Sequence, residues 1–501
     1  MYAAIRSATH HGAFGAPVTV EVHVGNGLPG FTVVGQPDEA CRESRDRVRA
    51  ALLCSGHEWP NRRITVNLAG VGERKGGSAV DLAIAIGILV TQQVITPEAT
   101  DRFAFVGELG LDGALRDTPG TAPLAHAAGI SHAVVVPLHN LAEARLAAGD
   151  RARGAASLAQ LVEILRDGVP FPDIADAADP VQEEPPPDLA DVRGQGHARL
   201  ALEVAAAGHH HMLMVGPPGS GKSMLARRMP GLLPRLGPDR ALECALIRSA
   251  AGLAVRVPPT AVPPFRAPHH SATLVSMVGG GPPGLRPGEI SLAHNGTLFL
   301  DELSEFAPSV LDALRQPLEE RVVRISRARM SATLPADFVL LAASNPCPCS
   351  DERITGCACT PQQRLRFLRR VSGPLLDRFD IRVSVTRPDI SELMDTAPAE
   401  PTAVVATRIA SARRTALERQ EVPNSAIPPA AIDEFAPLTQ KARAVLVRQL
   451  ERGALTARGY HRVRRVARTV ADLRGAETID EEHVIAALGM RRAVDARLGL
   501  Q

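Results

Sequence analysis

The sequence predicts a multidomain α/β protein with a helical C-terminal part. Three observations carry this reading. Apolar residues alternate near the N-terminus, an apolar strand meets a glycine-rich loop and a helix start at Met212–Ala226, and five helical stretches follow residue 388. At roughly 100–200 residues per domain, 501 residues correspond to about three domains. Apolar residues make up 45% and charged residues 22%, and the mean hydropathy is zero, as in an ordinary soluble protein. The longest apolar run, Leu82–Val90, is far short of the ~18 residues of a membrane span. The N-terminus lacks the regions of a signal peptide, so a cytoplasmic protein is expected.

In chain order, Val18, Val20, Val22 and Val24 alternate with Thr19, Glu21 and His23, the period of a half-buried strand. Pro37–Cys54 reads as a helix, Ile64–Leu68 as a strand, Ala79–Val90 as a buried helix and Ala133–Val136 as a buried strand. Together they make a unit over 1–166. Residues 167–191, with Glu183-Glu184-Pro185-Pro186-Pro187, hold too little apolar surface to fold alone and read as a linker. Residues 192–388 form a second α/β unit rich in glycine–proline loops. Residues 389–501 read as helices over Ala403–Arg419, Ala430–Phe435, Gln440–Glu451, Arg462–Leu473 and Glu481–Met490.

The strongest chemical signal is Gly216-Pro217-Pro218-Gly219-Ser220-Gly221-Lys222-Ser223, between the strand Met212–Val215 and the helix start Met224-Leu225-Ala226. This is G-x-x-x-x-G-K-[ST] in the strand–loop–helix setting the motif requires. The glycines let backbone N–H groups converge on phosphate oxygens, and the helix N-terminus adds positive potential. Lys222 then reaches the β- and γ-phosphates of ATP, and the Ser223 hydroxyl ligates Mg²⁺. About 80 residues further on, Gly296–Leu300 leads into Asp301-Glu302. An apolar strand there delivers Asp301 to the metal and Glu302 to the water that attacks the γ-phosphate.

Two further groups fit this machinery. Val339–Ala343 runs into Ser344-Asn345, where Asn345 either orients the attacking water or simply makes the turn before Pro346. Arg378, in Leu375–Asp380, is either a charge-stabilising finger supplied to a neighbour's ATP or the salt-bridge partner of Asp377 or Asp380.

Seven cysteines include three scattered ones, Cys41, Cys54 and Cys244, which read as small buried hydrophobes. The other four, Cys347, Cys349, Cys357 and Cys359, give C-x-C-x₇-C-x-C. Four thiolates in one short loop suit a structural Zn²⁺, with an Fe–S cluster or redox-sensitive thiols as alternatives. The net charge of +2 supplies no global field toward nucleic acid, and aromatics at 3% leave little for base stacking. The only lysines are Lys75, Lys222 and Lys441.

Pro264–Ser271, Gly279-Gly280-Gly281, Pro287–Gly296 and Asn345-Pro346-Cys347-Pro348-Cys349 resemble the ComM/YifB family of magnesium chelatase-like AAA+ proteins. So do Gly27–Gly35 and Glu43–Val48 near the N-terminus. The resemblance spans nearly the whole chain. It implies a Lon-protease-like (ribosomal S5 domain 2-like) N-terminal domain, an AAA+ domain with a parallel sheet, and a C-terminal helical lid. It also implies a homohexamer with ATP and Mg²⁺ between protomers, acting as a branch-migration helicase on DNA together with recombination proteins in natural transformation. Asn345 is then the sensor on the catalytic strand and Arg378 the trans finger. Arg458 is the sensor arginine reading the γ-phosphate of its own protomer, with Arg462 a near rival. Lys75–Ala79 resembles the segment that bears the Lon serine, but Ala122 stands about where the Lon lysine would. No lysine lies between Lys75 and Lys222, so a Ser–Lys protease is not expected and Ser78 reads as a helix N-cap. Candidate DNA contacts are the loop Ser271–Gly288 and the basic residues Arg462, Arg464, Arg465 and Arg468. His269 and His270 read as loop hydrogen-bonders. A magnesium-chelatase-type ATPase subunit that remodels a partner protein is the alternative function.

Overall fold

The computed structural model describes residues 1–35, 38–70, 77–172, 185–281, 285–327, 330–347, 359–360, 362–363, 370–387 and 399–498. The valine alternation belongs to β2 (Phe14–Gly25), which pairs antiparallel with β1 (Tyr2–His11) from Tyr2↔His23 to His11↔Phe14. With β3 (Gly30–Val34), β4 (Arg63–Ala69), β5 (Phe103–Phe105), β8 (Ala133–Pro137) and β9 (Ala152–Ala155) they form a seven-stranded sheet in the order β3-β4-β2-β1-β5-β8-β9. A small antiparallel pair, β6 (Glu108–Leu109) and β7 (Leu115–Arg116), stands apart from it. The helix Asp81–Thr91 is buried along its whole length, packed against β1, β2 and the helix Glu39–Cys54. A helix covered on every side has no use for a polar face, which accounts for its unbroken apolar run.

Asp38 caps the Glu39–Cys54 helix, its side chain accepting from Cys41 N at 2.9 Å, and it also accepts from Gly77 N at 2.8 Å. The expected N-cap at Ser78 is corrected by the structure. Gly77 is the cap of a 3₁₀ turn over Ser78–Val80, and the Ser78 hydroxyl donates to the Glu108 carboxylate instead.

The second sheet has five strands, all parallel, in the order β11-β12-β15-β10-β16. They are β10 (Met212–Val215), β11 (Phe265–Arg266), β12 (Thr297–Leu300), β15 (Val339–Ser344) and β16 (Ile381–Ser384). Full burial of β10, β12 and Val339–Ala343 explains their continuous apolar character. An antiparallel hairpin that the sequence reading did not foresee, β13 (Val322–Arg327) with β14 (Met330–Pro335), stands between β12 and β15 in the chain. The turn between β1 and β2 reaches this hairpin, since Ala13 lies in one apolar cluster with Ala332 and Leu334. Ser249 also donates to Glu143 of the N-terminal unit.

Beyond residue 399 the described chain is helical: Thr402–Gln420, Ile432–Phe435, Gln440–Glu451, Ala457–Leu473 and Glu481–Leu498. Val405, Ile409, Val463, Val466 and Val470 share one core with Ala201, Leu202 and Ala205 of the helix Gly196–Gly208 and with Met212 and Met214. The fourth helix starts five residues before the expected Arg462 because Thr456 caps it, accepting from Gly459 N at 3.1 Å. A glycine in that first turn is a poor helix former and hid the start. Of the expected linker, the stretch around Leu189 is built into this core. Leu189 is buried, and Asp188 accepts from Thr402 N at 2.8 Å. No helix among the described residues is long and apolar enough to cross a membrane.

Candidate active site

Because all five strands run parallel, their C-terminal ends share one edge of the sheet, where ligands bind in open α/β sheets. Val215 is level with Ser344, and Leu300 with Ala342. Gly216, Asp301 and Asn345 therefore leave the sheet side by side. Gly216 donates to Ser344 O at 3.1 Å, and a side chain there would collide with the Val385 carbonyl. Gly221 has φ +88°, a left-handed backbone open to glycine without strain, and it caps the helix Lys222–Ala226.

The charged groups then meet. Lys222 Nζ is buried and donates to Gly216 O and Pro217 O at 2.8 Å each, with Asn345 Oδ1 at 3.4 Å. Burial lowers the Lys222 pKa, and the charges of Asp301 and Glu302 oppose that shift. The Ser223 hydroxyl donates to Asp301 Oδ2 at 2.5 Å. A hydroxyl and a carboxylate so close form an all-oxygen pair that fits a hard, Mg²⁺-like cation. Asp301 Oδ1 accepts from Glu302 N at 3.0 Å, and Glu302 takes a left-handed backbone at φ +51° with a half-exposed carboxylate. A non-glycine residue held there is typical of switch and active-site positions.

Three neighbours had no clear sequence signal. Gln195, itself at φ +58°, donates its amide to Ser220 O at 3.1 Å and to Thr386 O, clamping the loop to the end of β16. Arg387 Nη2 donates to Pro218 O at 3.3 Å. His270 was expected only as a loop hydrogen-bonder, yet its Nδ1 lies 3.4 Å from Glu302 Oε2. His269 is the one that bonds within the loop, to Ser271 Oγ at 2.8 Å.

The arginines lie elsewhere. Arg378 precedes β16, and Ile381 is level with Met212, so Arg378 is at the opposite edge of the sheet from Gly216. A strand of four residues separates the two edges by about 13 Å. Arg378 pairs with Glu319 rather than with Asp377 or Asp380. Its pKa is lowered by burial and by Arg462, Arg458 and Arg315. Arg458, in the first turn of the helix Ala457–Leu473, is thus one of the cations that act on Arg378.

Two arginines of the basic helix are corrected as DNA contacts. Arg464 is 2% exposed and bonds to Ala436 O at 2.9 Å. Arg468 is 0% exposed and bonds to Glu477 O at 2.6 Å, so both serve the fold. Within Ser271–Gly288, the short helix Leu274–Val278 exposes Leu274 and Val275. Of the four clustered cysteines, Cys347 is buried and Cys359 half-buried, while Cys349 and Cys357 lie outside the described residues.

Comparison with known proteins identifies the machinery. The model for magnesium chelatase, subunit ChlI, matches residues 188–393, which hold the whole phosphate-loop sheet. A model for subunit ChlI of Mg-chelatase matches residues 20–140, and one for the ChlI C-terminal part matches 399–491. YifB of Escherichia coli is 42% identical over 485 residues, covering 96% of this chain and 95% of its own. The competence protein ComM of Haemophilus influenzae is 41% identical over 483 residues, 95% of both chains. The chain belongs to the ComM/YifB family of magnesium chelatase-like AAA+ proteins. A more distant likeness, 26% over 202 residues, links 40% of the chain to 25% of a probable DNA helicase, MCM9, of Arabidopsis thaliana. ATPase activity, with ATP and Mg²⁺, comes with the ComM/YifB family, and the mixed α/β sheets with C-terminal helices are the expected fold.

Proposed function

We propose that this ComM/YifB protein is a hexameric DNA motor that couples ATP hydrolysis to branch migration during recombination of incoming DNA. The observation that carries the reading is the division of labour between the two edges of one parallel sheet. Lys222, Ser223, Asp301, Glu302 and Asn345 gather at one edge, and Arg378 precedes β16 at the other. Within one chain the length of β16 separates the backbone of Arg378 from the loop by about 13 Å. In a closed ring, head-to-tail packing brings one chain's arginine edge against its neighbour's loop. Buried nitrogens of Arg315, Arg378, Arg462 and Arg465 have no hydrogen-bond acceptor among the described residues.

In this reading Gly216–Ser223 holds the phosphates and Lys222 neutralises their charge. Ser223 and Asp301 hold Mg²⁺, which draws off negative charge from the phosphates. Glu302 takes the proton of the attacking water and Asn345 orients that water, while Arg378 acts from the neighbouring chain and Arg458 reads the γ-phosphate of its own. The domain division is 1–166, a linker over 167–191, 192–388 and 389–501, in a cytoplasmic protein. Cys347, Cys349, Cys357 and Cys359 hold a structural zinc that pins the loop after Asn345. The naming of ComM as a competence protein and of MCM9 as a probable DNA helicase favours DNA over a porphyrin-synthesis role.

The test is Glu302→Gln beside Lys222→Ala. Glu302→Gln should keep nucleotide binding while turnover falls about 10²–10⁴-fold, the usual worth of a general base. Lys222→Ala should lose both. ATP turnover at the parental rate in Glu302→Gln would remove the assigned base.

A further inference from the structure

Arg378 itself is weakly held. Its partner Glu319 is half-exposed, and Arg378 Nε is buried with no acceptor among the described residues. A single ion pair with one half-exposed partner fixes little. The two residues after it, in contrast, are locked from every side. Phe379 is fully buried. Asp380 N and Ile381 N both donate to His211 O at 3.1 Å, and Arg491 Nη1 donates to Phe379 O and Asp380 O at 3.0 Å each. The Asp380 carboxylate, also buried, lies 2.9 Å from His210 Nδ1 through one oxygen and 3.6 Å from Arg462 through the other.

The same network continues into the C-terminal helices. His210 is 0% exposed, and its Nε2 lies 2.8 Å from Thr469 Oγ1 on the helix Ala457–Leu473. Thr469 accepts from Asn424 at 3.1 Å, and Asn424 donates to Asp472, which pairs with Arg419 and Arg468. That helix also carries Arg458 and Arg462. Burial by itself would raise the Asp380 pKa, but His210, Arg462 and His211 hold it well below the usual carboxylate range. A buried charge so fully partnered fixes its neighbours in one arrangement, and loss of the charge leaves the surrounding cations uncompensated.

We propose that Asp380 is the positioning residue that aims Arg378 at the neighbouring chain's nucleotide, and that His210 and Thr469 tie this aim to the C-terminal helices. The proposal rests on the trans reading of Arg378. It makes nucleotide-driven movement of those helices and the aim of the arginine one mechanical event. Neither Asp380 nor His210 touches nucleotide.

The test is Asp380→Asn, nearly isosteric, in mixtures of inactive chains. Alone it should lower kcat about 10²-fold, as a misaimed group does, with KM for ATP within about twofold. Its phosphate loop is intact and its arginine misaimed. Mixing with Lys222→Ala, whose Arg378 is correctly aimed, should therefore restore ATPase. Mixing with Arg378→Ala should not. A plain loss of stability would fail in both mixtures or in neither, and either pattern overturns the proposal, as does parental kcat in Asp380→Asn. The control mixture is Arg378→Ala with Lys222→Ala, after subunit exchange is verified by pull-down. Background activity in that control rejects the trans reading itself, and this proposal with it. Should Asp380→Asn not assemble, Thr469→Val is scored by the same pattern, and parental turnover there overturns the tie to the C-terminal helices.

Discussion

At Lys222 burial and charge pull in opposite directions. Desolvation favours the neutral amine, while Asp301 and Glu302 favour the ammonium, and the carbonyls of Gly216 and Pro217 accept hydrogen bonds from it. A compact ammonium wrapped in carbonyls is ready to exchange them for phosphate oxygens. The residue-scale prediction concerns the cysteines. Four thiolates between Cys347 and Cys359 should hold one zinc per chain, and Cys347→Ser with Cys357→Ser should release it. Elemental analysis of protein purified without chelator and under reducing conditions measures this, and protein free of zinc would end the assignment. The glycine loop and its Lys222-Ser223 pair were legible in the sequence because they answer a backbone requirement, converging N–H groups on a helix N-terminus. Arg464 and Arg468 were not. A helical run of arginines does not reveal which of them bond to carbonyls such as Ala436 O and Glu477 O until the neighbouring turns are in place. Gln195 was hidden for a similar reason, since its partners Ser220 and Thr386 are distant in sequence.

Among the elements, the helix Asp81–Thr91 was readable from its apolar run, but the start of that helix hides a buried charge. Asp81 pairs with Arg47 at 2.6 Å and is fully buried. Burial pushes its carboxyl up to about 7 from an ordinary 3.8, against the pull of Arg47. The sign of the linkage follows. The folded state holds the proton more tightly than the unfolded one, so the stability tied to Asp81 is full below about pH 4 and is lost as pH rises through about 7. In Asp81→Asn the group no longer titrates. The stability of the parent minus that of Asp81→Asn should therefore be greatest near pH 4 and shrink toward pH 8. Trp59, the only tryptophan in the chain, packs 5.8 Å from Phe31 beside this core and reports its denaturant unfolding by fluorescence. A stability difference that is flat, or that grows with pH, would show that the Arg47 pair outweighs burial. The hairpin β13–β14 was missed at this scale. Its buried residues Val323, Ile325, Ala332 and Leu334 make two short alternating runs that a longer apolar pattern on each side outweighed.

For the whole molecule the question raised by the proposed DNA motor is how a protein with a net charge of only +2 would engage a polyanion. A net charge this small supplies no long-range field toward DNA, so under the proposed function affinity would come from local cations brought together in the ring, and the basic residues are nearly all arginines. With Arg464 and Arg468 taken up by the fold, the loop Ser271–Gly288 is the stronger of the two expected contact regions. It follows the strand whose continuation carries His270 to within 3.4 Å of Glu302, which under the proposed function would link a DNA contact in the loop to the proposed base. DNA junctions should therefore stimulate ATP turnover, and synthetic three- and four-stranded junctions should undergo branch migration, read by fluorescence, only with hydrolysable ATP. Phosphate contacts release counterions, so log affinity should fall linearly with log salt at a slope of about −0.7 to −0.9 per phosphate engaged. Replacing Arg286 in the loop by alanine should weaken binding to all junction sequences alike and reduce that slope by about one if the arginine meets a phosphate. Turnover that responds to porphyrin and to no DNA junction would transfer the protein to the chelatase-type alternative. An ATPase indifferent to both would break the proposed route from loop to base, whatever the state of the phosphate site.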